Sequence, residues 1–239
     1  MTFDQAEFEI RCEWGRQGVC QLAPISDVVI IVDVLSFSTC LEIANSRGAV
    51  IFPYRWKDES ARDFAASLGA ELAQFERGSD GYSLSPASLM SIPENTRLVL
   101  PSPNGSTMSL ATGATPTLAG CLRNCRAVAR AAMKYGRRIA VIPAGEQWKD
   151  RSLRPSFEDL AGAGAIINHL QGILSPEAKA AGGVYSSALN DLRQLLKQCI
   201  SGRELIERGF ELDVELASEL DISECIPTLM NGTYVHHLA

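Results

Sequence analysis

The chain has 239 residues, 46% hydrophobic and 21% charged, with 22 basic against 28 acidic side chains for a net charge of -6. That balance excludes disorder, fibrous repeats and a protein whose main task is to neutralise nucleic-acid phosphates. A chain of this length buries roughly 70% of the surface its unfolded form exposes, so its core needs neither disulfides nor a structural metal.

The N-terminal stretch MTFDQAEFE is acidic and has no basic segment leading into an apolar run. Val28 to Val34 reads as the first strand: VVIIVDV is apolar up to Asp33 and rich in β-branched residues, as suits a strand buried on both faces. A helix is expected over Ser38 to Ser46, a strand over Ala49 to Tyr54, a helix over Ser60 to Leu68 and a strand over Thr96 to Leu100. Asn124 to Tyr135 has an N-capping Asn, an apolar stripe of Val128, Ala129, Ala132 and Met133, and Gly136 as its stop. Arg138 to Ile142 is the next strand and Phe157 to Gln171 the next helix.

From Gly172 to Gly183 the composition shifts to Gly, Ala, Ser and Pro, a loop or the boundary of a peripheral helical segment at about 173–210. Pro176 to Arg208 reads as helix with at least one break; Leu189, Leu192, Leu195, Leu196 and Ile200 give its later part a packed apolar face. Ile226 to Val235 reads as a strand returning to the sheet, which favours one domain over 1–239 rather than a separate C-terminal one. Alternating strands and helices predict a layered α/β/α domain.

No apolar run approaches the roughly 20 residues that span a bilayer, so neither membrane nor nucleic acid is an expected partner. Seven cysteines (Cys12, Cys20, Cys40, Cys121, Cys125, Cys199 and Cys225) at irregular spacing fit a reducing cytoplasm. Cys121 and Cys125 lie four apart rather than as CxxC, and His169, His236 and His237 are remote from them, so no zinc arrangement is read.

In open α/β sheets ligands bind beyond the carboxyl ends of the strands. Three strand ends carry polar groups: Asp33 with Ser36, Ser38 and Thr39; Ser102-Pro-Asn104-Gly105-Ser106-Thr107; and Gly145-Glu146. Asp33 ends an apolar strand, where a carboxylate must be paired, hydrogen-bonded or bound to a metal; capping the next helix is the plainer alternative. The Asn104 to Thr107 turn suits an anion or is an ordinary Asn-Gly turn. Glu158 and Asp159 either complement a helix dipole or join Asp33 and Glu146 in an oxygen cluster of the kind that holds Mg2+.

Such a cluster beside an anion loop points to phosphoryl chemistry. The common designs are missing. Leu35 stands where a haloacid-dehalogenase site needs its second Asp, and Cys121 lacks an Arg after five intervening residues. Neither a Walker loop, a GxSxG elbow nor a GxGxxG after a strand is present.

Taken together and in order, VVIIVDVLSFSTCLEIA, LVLPSPNGST, LAGCLRNCRAVA, IAVIPAGE and FEDLAGAGAII resemble the ComB family of 2-phosphosulfolactate phosphatases, across about Ile10 to Ile167. The resemblance implies a three-layer α/β/α fold with a mixed, largely parallel sheet. It also implies Mg2+-dependent hydrolysis of 2-phosphosulfolactate to sulfolactate and phosphate, a step of coenzyme M biosynthesis. The matched positions are Asp33, Ser36, Ser38, Thr39, Asn104, Gly105, Ser106, Thr107, Arg123, Asn124, Glu146, Glu158 and Asp159.

On this reading Asp33, Glu146 and Asp159 are catalytic, and these three with Glu158 are the metal candidates. The hydroxyl, amide, glycine and arginine positions bind a small phosphorylated anion. Water is the expected nucleophile, with a serine or Cys121 phosphoenzyme as alternative; a homodimer is left open. One departure stands out: many family members carry DVLRATTT where this chain has DVLSFSTC, so Ser36 occupies an arginine's place. Serine cannot grip an oxyanion with two parallel bonds as arginine does, which admits another small phosphorylated hydroxy acid as substrate, or a non-catalytic anion-binding protein on the same fold.

Overall fold

The VVIIV run forms a strand with all five residues buried, Val28–Val32, inside a nine-stranded sheet. The computed structural model describes residues 4–78 and 80–236; Met1 to Phe3, Ser79 and His237 to Ala239 lie outside the described residues.

In chain order, β1 (Ile10–Cys12) leads to α1 (Gly15–Leu22), β2 (Val28–Val32) to α2 (Phe37–Ser46), and β3 (Val50–Tyr54) to α3 (Glu59–Leu68). Then come β4 (Glu71–Leu72), α4 (Pro86–Leu89), β5 (Arg97–Pro101), α5 (Gly105–Ser109), β6 (Thr117–Gly120), α6 (Cys125–Tyr135) and β7 (Ile139–Pro143). A small ribbon, β8 (Glu146–Gln147) with β9 (Leu153–Arg154), precedes α7 (Phe157–Ile167). Four helices follow, α8 (Pro176–Ala188), α9 (Leu192–Gln198), α10 (Ile200–Glu207) and α11 (Glu211–Ala217), and a hairpin of β10 (Pro227–Met230) and β11 (Thr233–His236) closes the fold.

The sheet order is β1-β7-β2-β6-β10-β11-β3-β5-β4. β1, β7, β2 and β6 run parallel to one another, as do β3, β5 and β4. The hairpin joins the two halves, pairing antiparallel to β6 on one side and to β3 on the other. The sheet is thus mixed and mostly parallel with helices flanking it, as the resemblance implied.

Two differences from the sequence reading have local causes. Ile226 to Val235 is a hairpin rather than one strand, because Asn231 and Gly232 adopt φ of 51° and 81°, the turn that matches strand twist. β6 gave little signal because TLAG is short and ends in glycine. A Cβ on Gly120 would lie 2.5 Å from Ile166 Cδ1 and 3.1 Å from Ile30 Cγ2, so helix packing favours a glycine there. Helix begins at Pro176 as expected, where the Ser175 hydroxyl accepts from the Ala178 amide and proline fits the first turn.

The C-terminal helices share one apolar cluster with the sheet: Ala178, Leu192, Leu205 and Val214 pack with Val28, Ile30 and Val141. Leu189 and Ile200, expected on the packed face, are exposed. Glycines in α7 set its approach on two sides. A Cβ on Gly162 would meet Val34 Cγ2 at 2.6 Å, and one on Gly164 would meet the Ala181 carbonyl oxygen of α8 at 2.1 Å.

Backbone oxygen cannot step aside as a flexible side chain does, so Gly164→Ala is expected to lower unfolding free energy by about 1–3 kcal/mol. Gly183→Ala, whose Cβ meets nothing within 4 Å, should be neutral or slightly stabilising. Urea unfolding of both variants checks this; equal effects would contradict the packing account.

Candidate active site

β2 and β7 are sheet neighbours, so their carboxyl ends release Asp33 and Glu146 side by side. β5 belongs to the oppositely directed half, yet the loop after it reaches the same place: Asn104 Nδ2 donates to Glu146 Oε2 at 3.0 Å. Gly105 makes the approach possible, since a Cβ there would lie 2.2 Å from the Phe37 ring at the start of α2. The three strand ends line a cleft of about 570 Å³ that includes Asp33, Ser36, Asn104 and Glu146.

Asp33 caps a helix and also faces the cleft. Its Oδ1 accepts from the Phe37 amide at 3.1 Å, capping α2, while the residue still lines the cleft. Burial, with the Glu158 charge adding to it, pushes its carboxyl up to about 6 against the opposing Phe37 and Gly105 amides and the Arg77 charge. Glu146 is pushed up to about 7, chiefly by burial and then by the Asp33 and Glu158 charges; Arg154 and the Asn104 amide oppose this.

Asp159 acts as a clasp. Oδ1 accepts from the Val34 amide at 2.7 Å, and Oδ2 accepts from the Gly145 amide at 2.9 Å and the Ser156 hydroxyl at 2.8 Å. One carboxylate thus pins the ends of β2 and β7 together, and burial followed by the charges of Asp33 and Glu158 raises its pKa. The close seat of Gly162 on Val32 and Val34 brings Asp159, three residues earlier on the same helix face, within reach. Neither Asp159 nor Glu158, which is also buried, lines the cleft.

The other expected positions serve the scaffold. Ser38 Oγ accepts from the Asp33 amide and donates to the Ile31 carbonyl, and Thr39 Oγ1 donates to the Val34 carbonyl. Ser106 Oγ donates to the Leu100 carbonyl, and Thr107 lines an adjoining depression with Trp14 and Trp56. Arg123 is buried in ion pairs with Glu42 and Glu219. Asn124 joins β6 to the C-terminal segment, accepting from the Cys121 amide at 2.9 Å and donating to the Cys225 carbonyl at 3.0 Å. The Cys121 thiol is fully buried and pushed up to about 12 by that burial, so it is a poor nucleophile.

Sequence reasoning missed the cationic wall. Lys57, Arg77, Arg154 and Arg208 all line the cleft. Arg77 donates from Nη2 to Ser36 Oγ at 2.9 Å, bringing a guanidinium to the position where the family pattern carries an arginine of its own. Arg154 donates to Ser201 Oγ at 3.1 Å. Arg154 lay in the polar loop after Glu146; Arg77 and Arg208 carried no local signal.

Among the described residues no three His, Cys, Asp or Glu side chains form a metal-holding group. Four carboxylate residues line the cleft, Asp33, Glu76, Glu146 and Glu204, and of these Asp33 and Glu146 come as a pair from adjacent strand ends. That hard-oxygen pair fits Mg2+, which keeps several waters and takes one or two carboxylates with substrate phosphate oxygens; it does not fit a cage of four.

A family model described as "2-phosphosulpholactate phosphatase" matches residues 19–232. A protein named "probable 2-phosphosulfolactate phosphatase" from Carboxydothermus hydrogenoformans is 29% identical, the match covering 83% of this chain and 84% of that protein. One of the same name from Caldanaerobacter subterraneus is 27% identical over 85% and 88%, and one from Gloeobacter violaceus 28% over 84% and 87%.

The Asp33 and Glu146 carboxyls have pKa values raised above their ordinary ones, so between about pH 4 and 7 the folded chain holds protons that the unfolded chain has released. Their contribution to stability therefore falls as pH rises through that window. In EDTA, the melting temperature of the wild type should drop more steeply from pH 4.5 to 7.5 than that of an Asp33→Asn, Glu146→Gln double variant; parallel curves would contradict this reading.

Proposed function

The chain belongs to the 2-phosphosulfolactate phosphatase family, phosphoric monoester hydrolases, and from that premise we propose that it hydrolyses 2-phosphosulfolactate to sulfolactate and phosphate with Mg2+ at Asp33 and Glu146. The observation that carries this reading is the pairing of the strand-end carboxylates Asp33 and Glu146 with the cations Lys57, Arg77, Arg154 and Arg208 in one cleft, whose lining also includes Glu76 and Glu204. The strand-end pair suits a hard cation and the cationic wall a multiply charged anion.

When bound, Mg2+ supplies neutralisation of the charge on the phosphoryl oxygens. The chain's own groups do the rest. The Phe37 amide orients Asp33, and Asn104 orients Glu146. Glu146, so oriented, accepts a proton from the attacking water as its oxygen joins phosphorus. The ester P–O bond breaks and the sulfolactate oxygen leaves with a proton from solvent, to which Glu146 returns the one it took. Side chains of the wall meet the substrate's anionic groups.

Ser36, in place of the arginine of the family pattern, supports a second reading in which the preferred ester is another small phosphorylated hydroxy acid. No helix among the described residues is long and apolar enough to cross a membrane.

Phosphate release from 2-phosphosulfolactate and a panel of phosphorylated hydroxy acids, in Mg2+ and then in EDTA, tests the proposal. Release should require Mg2+, fall about 100-fold or more in Asp33→Asn, and stay within about twofold of wild type in Cys121→Ala. Metal-independent turnover, or loss in the cysteine variant alone, would overturn the mechanism. Release from other panel members only would replace the substrate.

A further inference from the structure

We propose that Arg77 grips an oxyanion group of the substrate and that Asp213, outside the cleft, is the positioning residue that aims it. This rests on the phosphatase reading for the identity of the anion, not for the geometry.

Arg77 stands in the connection between β4 and β5, yet its side chain crosses to the end of β2 and lines the cleft with Asp33 and Ser36. It is held on three sides. Nη1 pairs with Asp213 Oδ2 at 2.5 Å, Nη2 donates to Ser36 Oγ at 2.9 Å, and the Phe210 ring centre lies 5.9 Å from the guanidinium carbon. The side chain keeps 12% exposure, against 1% for Asp213. A guanidinium has five N–H donors in a planar fork, so the bonds to Asp213 and Ser36 do not exhaust it.

Asp213 is fixed in turn. Its Oδ1 accepts from the Ser85 hydroxyl at 2.6 Å and from the Ala87 amide at 2.9 Å, which tie α11 to the start of α4. A carboxylate with three donors cannot swing, and neither can the guanidinium bound to it. A purely structural ion pair has no need of an opening, since sealed apolar packing is often as stable. Here the anionic half is sealed and the cationic half opens beside Asp33, as preorganised oxyanion recognition requires.

The test compares wild type with Arg77→Met, Arg77→Lys and Asp213→Asn. Steady-state phosphate release is measured on 2-phosphosulfolactate and on 2-phospholactate, which lacks the sulfonate. Calorimetry measures binding of inorganic phosphate and of sulfolactate without turnover. Arg77→Met should lower kcat/KM about 10- to 100-fold, the size expected for a hydrogen bond to a charged group. Asp213→Asn should raise KM with a smaller change in kcat, and Arg77→Lys should not restore the wild type because an ammonium lacks the fork.

Loss on both esters, with lost phosphate binding, assigns Arg77 to the phosphoryl group; loss on the sulfonate ester alone, with lost sulfolactate binding, assigns it to the sulfonate. Wild-type kinetics and wild-type binding in Arg77→Met would overturn the proposal. Should Arg77→Met fail to fold by circular dichroism, Arg77→Lys, which preserves the charge facing Asp213, decides on the same readouts. A wild type that turns over neither ester defeats the phosphatase reading, and the binding arms still judge Arg77: anion binding lost on substitution supports it, and no anion binding by the wild type overturns it.

Discussion

Two carboxylates drawn out of water at the ends of adjacent strands repel each other, and the surroundings of the cleft answer that repulsion. β2 and β7 are hydrogen-bonded neighbours, so Asp33 and Glu146 have no freedom to part. An ionised carboxylate away from water is costly unless a proton, a countercharge or a cation meets it. The protein supplies partial relief from the Phe37 and Gly105 amides, Asn104, Arg77 and Arg154, and this leaves both groups raised. The remaining demand is what a divalent ion and an anionic ester meet.

Much of the scaffold serves to keep that demand in place. Asp159 clasps the two strand ends through the Val34 and Gly145 amides, and it reaches them because Gly162 seats α7 flush on β2. On its other side α7 meets α8 through Gly164, which places the C-terminal helices against the sheet. Those helices then return to the cleft: Ser201 of α10 holds Arg154, and Asp213 of α11 holds Arg77. Stability and site geometry are carried by the same contacts, so packing changes far from the cleft are transmitted to the charges that line it.

What was legible in the sequence follows a physical division. VVIIVDV announced a doubly buried strand ending in a carboxylate because burial on two faces leaves a continuous apolar run. The ends of β5 and β7 were readable for the same reason. β6 was hidden, since Thr117–Gly120 is kept small by Ile166 and Val128 packing over its glycine, a tertiary demand that no local pattern shows. Arg123 looked like an anion ligand from its place after a strand, but Glu42, on the helix before β3, pairs with it, and nothing in the order of residues reveals that meeting. Arg77 escaped notice for the converse reason: its partners Ser36 and Asp213 are remote in sequence and only the fold unites them. Carboxylates at strand ends are written locally; the cations that answer them are not.

The account stands or falls on whether the Asp33–Glu146 pair takes up a divalent ion. Calorimetric titration of Mg2+ into chelator-treated protein at pH 7.5, with wild type, Asp33→Asn and Glu146→Gln side by side, asks this without any substrate. The account predicts one ion per chain and a loss of affinity of about tenfold or more on removing either charge. Binding that is absent from the wild type, or unchanged in both variants, would contradict it.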